Sequence, residues 1–563
     1  MKKATYAHVL RSFLIVSALA IPFIFVLACS SAAPTATPAP APKATATSVA
    51  PTAPTSVPTA TRIAPTATPD KSKAPQYGGV LTFPITQSVD SPDPAFSTGS
   101  GTKRMLYLIF NGLTQQTPAG VISPDLARSW EVSQDGKSVT FQLQKGAKFH
   151  DGTPADAAAV KWNYDRYMDK AVGSSRGPEL SPPLEKVEVI DDSTVRFSMS
   201  TPFRPLLATL SLQAGMIASP TAVQKANSYA NRQGEFGRKP VGSGPFVLKE
   251  WLPGSYFTVV KNSTYWDTGK PYLDGMNLPI IGDKQIQFAM LRTGEADIME
   301  EVPSESVPLA KANPKVVVIE QKGAGTQALF FRVSAAPFDN KALRQALAYA
   351  INKQAVVDTV FSGAAVVAHS IVAPSLGDWF DSTVKQYEFS TAKAKQKLTE
   401  AGYPNGFSFK MPCRTGGKDG QTCETLQAVL SQSGINMEIQ LYENVAYFTD
   451  MASRKHNGPL AGNWSPRPDP GILLKILFYS KGSQNSWDYK NSDVDNYILE
   501  GDTVYDMAKA KELYHKALVQ IADDAPIIFL AWWSTFYGYR DNVFNFAPVP
   551  DKDIRLRDLW LGK

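Results

Sequence analysis

The chain has 563 residues, 43% of them hydrophobic, enough to bury a large core and long enough to imply more than one domain or lobe. Its composition is that of a soluble protein, and its formal charge of +6 falls by three when Lys2, Lys3 and Arg11 leave with the expected leader, which gives no case for nucleic acid. With 5 His in all and no spaced partner near His150 and Asp151, zinc ligation has little support.

Residues 1–28 have a basic start and an apolar run from Phe13 to Ala28, broken by Pro22, short for a membrane span and ending in small residues. They are expected to be a lipoprotein signal peptide, with Cys29 as the lipidated residue. Val26 and Leu27 depart from the commoner Leu-then-small lipobox, and an ordinary signal with an incidental cysteine is the alternative. From Ala32 to Pro75 the sequence is almost entirely Pro, Ala, Thr and Ser, without apolar periodicity. Such composition stays extended, so residues 29–76 are expected to be a tether reaching on the order of 100 Å.

The folded body is expected to begin at Tyr77–Phe83 and to continue through the loop Ser88–Pro94 into a helix carrying Tyr107 and Leu108. Trp130 and Val132 lead into a turn at Asp135-Gly136, after which Val139, Phe141 and Leu143 alternate with polar residues, as in a hairpin. His150-Asp151 then reads as a tight turn, and Thr153-Pro154 as the N-cap and first position of a helix whose inner face carries Val160, Tyr164 and Met168. A second hairpin is centred on Asp191-Asp192-Ser193. Gly242-Ser243-Gly244-Pro245 lacks a Walker lysine and precedes strand, which argues against a phosphate loop.

Further on, Leu343, Ala346, Leu347, Ala350 and Ile351 share a helix face, and Gly402 ends another helix. Cys413 and Cys423 bracket a Gly-, Lys- and Asp-rich loop ahead of a helix led by Glu424; in an exported chain a disulfide is expected, two buried thiols being the alternative. A last helix spans about Met507 to Ile521, before an apolar strand ending in Trp532-Trp533.

The stretch Leu126 to Met168, with its W-E-x-S-x-D-G and F-H-D-G-x-P elements, closely resembles a signature of the peptide- and nickel-type solute-binding proteins of ABC importers, extracytoplasmic family 5. Val241 to Gly275, Leu291 to Ile298, Pro337 to Ile351, Ala392 to Gly406 and Asn463 to Pro470 resemble further family motifs in the family's order. The resemblance implies a two-lobed α/β fold of the type II periplasmic-binding-protein kind, with mixed sheets and two hinge crossings near Phe331 and Leu530. It divides the body into lobe one (77–115, 236–331 and 531–563), an extra subdomain (116–235) and lobe two (332–530).

The resemblance also implies a cleft lined by Ser88, Asp90, Tyr107, Arg332, Trp464, Arg467, Asp469, Trp532 and Trp533. In the family's dipeptide binders a carboxylate three places after the tryptophan takes the peptide's amino group; here Arg467 stands there. A guanidinium suits a carboxylate or phosphate, unless it pairs with Asp469 or another acid and meets no ligand. Of two adjacent strand tryptophans, one packs the core and the other can face the cleft. The function implied is capture of an oligopeptide or other small solute by a monomer anchored outside the cell membrane, for delivery to an ABC permease. No cofactor, metal or catalytic constellation is expected. An exported carboxylate-dependent hydrolase and a tethered ligand sensor are the competing readings.

Overall fold

The computed structural model describes residues 74–563, apart from positions 98, 181–182, 233, 385–386, 416, 444–445 and 448–457. The expected signal segment, Cys29 and nearly all of the tether lie outside the described residues. Among those described, no helix is long and apolar enough to cross a membrane.

Lobe one is built on a mixed sheet. Val80–Thr82 runs parallel to Gly275–Pro279, which continues antiparallel through Tyr256–Lys261 to Phe246–Leu252. Alternation in Tyr256–Lys261 turns Phe257 and Val259 inward, and helix Ser100–Ile109 packs Met105, Leu106, Leu108 and Ile109 into the same core.

The subdomain has its own core beneath an antiparallel sheet ordered Ala127–Val132, Ser138–Leu143, Thr194–Met199 and Leu184–Asp191. Val139, Phe141 and Leu143 alternate inward as expected, and Trp130 lies opposite Phe141. Helix Ala157–Met168 starts later than its sequence suggests. Asp151 accepts from the Thr153 amide at 3.0 Å and its hydroxyl at 2.6 Å, which holds Thr153-Pro154 in the turn. Asp156 is therefore the N-cap, accepting from Ala159 N at 2.9 Å.

Lobe two surrounds the parallel pair Phe407–Arg414 and Ile435–Tyr442. Leu343, Ala346, Leu347, Ala350 and Ile351 are all fully buried there, and Asn340 caps their helix, Lys341–Ala350. Helix Gly417–Ser431 begins well before Glu424, so that Cys423 lies inside it, bonded to Cys413 at the end of the strand. Gly417 and Gly420 are poor helix formers, but burial of Cys423, Leu426 and Leu430 outweighs them.

Two long strands join the lobes. Val316–Phe330 and Ile527–Arg540 pair antiparallel from Val316 opposite Arg540 to Phe330 opposite Ile527. At one end Val316, Ile319, Tyr537 and Tyr539 pack with lobe one; at the other, Ala328 to Phe331 and Ile527 to Trp532 pack with lobe two. The ladder is interrupted between Gln321 and Gly325. The ribbon passes between lobes at that break. The expected crossings, Phe331 and Leu530, are instead fully buried in lobe two, because an unbroken apolar strand carries no mark of where it leaves one core for the next.

Lys353, buried at the start of helix Lys353–Phe361, donates to the Ala368 carbonyl at 3.0 Å. Burial pushes its ammonium down from 10.5 to about 8. Below pH 8 both folded and unfolded states hold the proton and the folded state bears the full cost; between pH 8 and 10.5 the unfolded state binds more protons, so stability rises. Relative to Lys353→Met, the wild-type protein is expected to gain on the order of 3 kcal/mol between pH 7 and 10.5. Urea titrations at both pH values measure this, and a constant difference contradicts it.

Candidate ligand-binding cleft

Helix Ser100–Ile109 forms the lobe-one wall, with Lys103 and Tyr107 one turn apart on one face. The C-terminal segment Asp551 to Arg555 packs against it. Arg104 Nη1 donates to Asp553 Oδ1 at 2.7 Å and its other terminal nitrogen pairs with Glu300. Lys103 Nζ lies 3.7 Å and Arg555 Nη1 3.9 Å from Asp553 Oδ2, so three cations share one carboxylate. Although burial opposes ionisation of Asp553, these cations hold it well below the usual carboxylate range. Asp551 beside it is pushed up to about 6 by burial and by Asp553.

From lobe two, strand Leu460–Trp464 leads into a loop that sets Arg467 within electrostatic range of Lys103. Burial draws the Lys103 ammonium below its ordinary value, Arg467 adds to that effect, and Asp553 opposes it. Arg467 is half-buried and enters no ion pair among the described residues. Trp464 stands beside it, half-buried, with its ring 6.1 Å from Phe330 and 5.9 Å from Trp487.

Other expected contacts are spent inside the fold. Asp469 is only 4% exposed: it caps helix Pro470–Phe478 through the Gly471 amide and pairs with Arg204 of the subdomain. Trp532 is 2% exposed, its indole donating to the Ser370 carbonyl at 3.1 Å among His369 and Phe380. Trp533 keeps partial exposure at the ribbon's passage, stacked parallel to Phe361. Arg332 lies beyond the far end of Val316–Phe330, 3.8 Å from Asp488. Asp90 accepts from the Ser91 and Gly99 amides and the Thr102 hydroxyl, ordering the loop ahead of the cleft helix, while Ser88 is exposed on that loop. His150 Nε2 meets the Gly244 carbonyl, completing a structural turn.

Thus the fold sets Arg467 within electrostatic range of Lys103, places Tyr107 on the same helix face as Lys103, adds Asp551, Asp553 and Arg555, and removes Asp469, Trp532 and Arg332. The added residues had a signal. Lys103 and Tyr107 are at helical spacing, whereas Asp551 and Asp553 lie in a turn around Lys552, and only the density of charge from Asp551 to Asp558 marked that segment in the sequence.

A contact between subdomain and lobe two closes one end of the cleft. The Arg204 guanidinium is held by Asp469, donates to the Tyr514 hydroxyl at 2.6 Å, and lies 4.7 Å from the centre of the Trp379 ring. The Arg204 amide donates to the Asp502 carbonyl at 2.8 Å. Lys418 of lobe two stands within electrostatic range of Lys284, Glu301, Glu305 and Lys552 of lobe one.

Two α/β lobes on a two-strand ribbon, with charged and aromatic groups facing across a cleft, define a type II periplasmic-binding-protein architecture. The chain belongs to the bacterial extracellular solute-binding proteins of family 5, whose middle-region profile matches residues 121–485; it captures a solute outside the cytoplasm for an ABC importer. The glutathione-binding protein GsiB of Escherichia coli (strain K12) is 31% identical over 443 residues, 77% of this chain and 85% of that protein. The periplasmic binding protein DppA from Helicobacter pylori, solved in complex with the peptide STSA, is 28% identical and superimposes with a TM-score of 0.78 over 87% of this chain and 99% of its own. The oligopeptide-binding protein AppA from Bacillus subtilis, in complex with a nonapeptide, shares the fold at 24% identity, with a TM-score of 0.76 over 87% of this chain and 100% of its own.

Breaking the Arg204–Asp469 pair leaves a buried charge without its partner, at a cost of about 3 to 5 kcal/mol. Arg204→Met and Asp469→Asn, the latter keeping the cap, are each expected to lower stability by several kcal/mol, and the double variant by clearly less than their sum. Additive losses in urea denaturation refute a direct coupling.

Proposed function

We propose that the protein is a lipid-anchored, monomeric substrate-binding component that closes its lobes on an oligopeptide or similar small solute and presents it to the transmembrane subunits of an ABC importer. In this reading residues 1–28 are the leader, Cys29 carries the lipid, and residues 29–76 hold the body off the membrane surface. The observation that carries the choice of site is that Arg467 of lobe two stands within electrostatic range of Lys103 on the lobe-one wall. Two cations brought together repel, and an anionic group between them converts that repulsion into a force for closure. Tyr107, Trp464 and Trp533 supply apolar walls that shield the contact, and Ser88 stands on the loop at the mouth.

The family membership and the ligands of its relatives, glutathione for GsiB and the peptide STSA for DppA, support a peptide-sized solute. Rotation about the break between Gln321 and Gly325 disturbs few ladder bonds, so closure is a hinge motion that excludes water from the ligand's hydrogen bonds.

Calorimetry against a peptide library tests the reading; turnover of a peptide or glycan in place of binding overturns it. Arg467→Ala is expected to weaken an anionic peptide tenfold to a hundredfold, in line with a charged hydrogen bond of about 1.5 to 3 kcal/mol, and its neutral amide much less. Equal loss for both makes Arg467 structural. Cys29→Ser is expected to move the protein from the membrane to the soluble fraction, and retention on the membrane refutes the anchor.

A further inference from the structure

Three other arginines, Arg166, Arg344 and Arg557, spend their donors within the fold. Arg166 forks onto Asp93 and reaches the Ser228 and Tyr229 carbonyls; Arg344 donates to the carbonyls of Phe338, Asp339 and Asp524. Arg557 donates to Asp125 at 2.9 Å and Gln115 at 3.1 Å. Arg555, two residues earlier, differs. Its Nε, Nη1 and Nη2 are all shielded from solvent, and none makes a hydrogen bond among the described residues.

The guanidinium is nonetheless held in place. One face covers the Tyr107 ring, 3.9 Å from its centre; Asp553 lies 3.9 Å away but is already shared by Arg104 and Lys103, and Asp551 is within electrostatic range. Arg555 and Tyr107, together with Asn111, Gln115 and Ser211, line a narrow crevice of about 30 Å³ that opens to solvent. Buried donors of a fixed fork left without acceptors are costly, and a carboxylate or phosphate is the group whose geometry satisfies them. The surroundings favour such a group: Lys103, Arg104, Arg467 and Arg555 outnumber Asp551, Asp553 and Glu300 by one charge.

We propose that Arg555 is a specificity-determining residue that receives an anionic group of the solute on lobe one. Lys103 lies one helical turn before Tyr107, so Arg555, which covers the Tyr107 ring, stands on the same face of the lobe-one wall as Lys103. The preferred solute therefore carries an acidic group toward lobe one; on the function proposed above, it is an acidic peptide.

The test is calorimetry of the full chain, freed of co-purified ligand, with tripeptides carrying Glu or Gln at each position in turn, and phosphoserine or serine as a second series. Wild-type protein is expected to prefer the acidic member at one position by at least tenfold, Arg555→Gln to bring the ratio of acidic to neutral affinity at that position close to one, and Arg555→Lys to keep part of it. The pattern across the two series separates a carboxylate from a phosphate. Equal binding of acidic and neutral members, or a preference that survives in Arg555→Gln, overturns the inference and leaves the peptide reading standing. If no tripeptide binds, the peptide reading fails, and the ligand recovered from the purified protein is compared with its amidated or dephosphorylated form. Loss of affinity on that change, reproduced by Arg555→Gln, upholds the role of Arg555; unchanged affinity overturns it.

Discussion

The two-strand ribbon is the constraint on which the rest of the molecule depends. Val316–Phe330 and Ile527–Arg540 belong to both lobes, so every side chain on one wall of the cleft is positioned relative to the other through their pairing. The ladder breaks where the strands pass between cores. Gly323 adopts a left-handed φ of 64°, which favours glycine, and a Cβ on Gly325 would come within 2.0 Å of the Trp533 indole. The break can bend because few hydrogen bonds cross it. Its direction is limited by Trp533, which stacks on Phe361 and lies over Gly325.

Charge is distributed in two different ways around that hinge. At the subdomain contact, Arg204 is occupied by Asp469, Tyr514 and the Gly501 carbonyl, and the pair is buried from both sides. Such an arrangement favours one relative placement of subdomain and lobe two, since separating the partners would leave each charge beside apolar surroundings. In the cleft the opposite holds. Asp553 is shared among three cations, and Arg467 approaches from lobe two without a carboxylate of its own. The satisfied pair steadies the frame, and the cations of the cleft are the groups proposed to meet a solute.

Asp469 illustrates how the two roles can be confused in a sequence. Its neighbourhood, a tryptophan, an arginine and Asp-Pro, resembles a ligand loop, yet Asp-Pro is also a helix start, and the carboxylate caps Pro470–Phe478. The residue that fully commits it to the frame, Arg204, is far away in the chain and belongs to the subdomain.

Local order was legible. The hairpin around Asp135-Gly136, the helix face of Leu343 to Ile351, the stops at Gly294 and Gly402, and the run of family motifs all follow from periodicity, turn chemistry and short-range pattern. Arg467 stood out in the sequence as a cation in a loop where related binders carry an acid, and its part in binding is a proposal. What the chain alone could not decide was everything that depends on distant segments meeting. The start of the helix at Ala157 turned on Asp151 capturing Thr153, the early start of Gly417–Ser431 on burial against lobe two, and the fates of Trp532 and Arg332 on which core each strand end entered. Tertiary structure alone set Lys103, Asp553 and Arg555 beside one another, since residues some 450 positions apart share no local pattern and are brought together by packing of the C-terminal segment on the cleft helix.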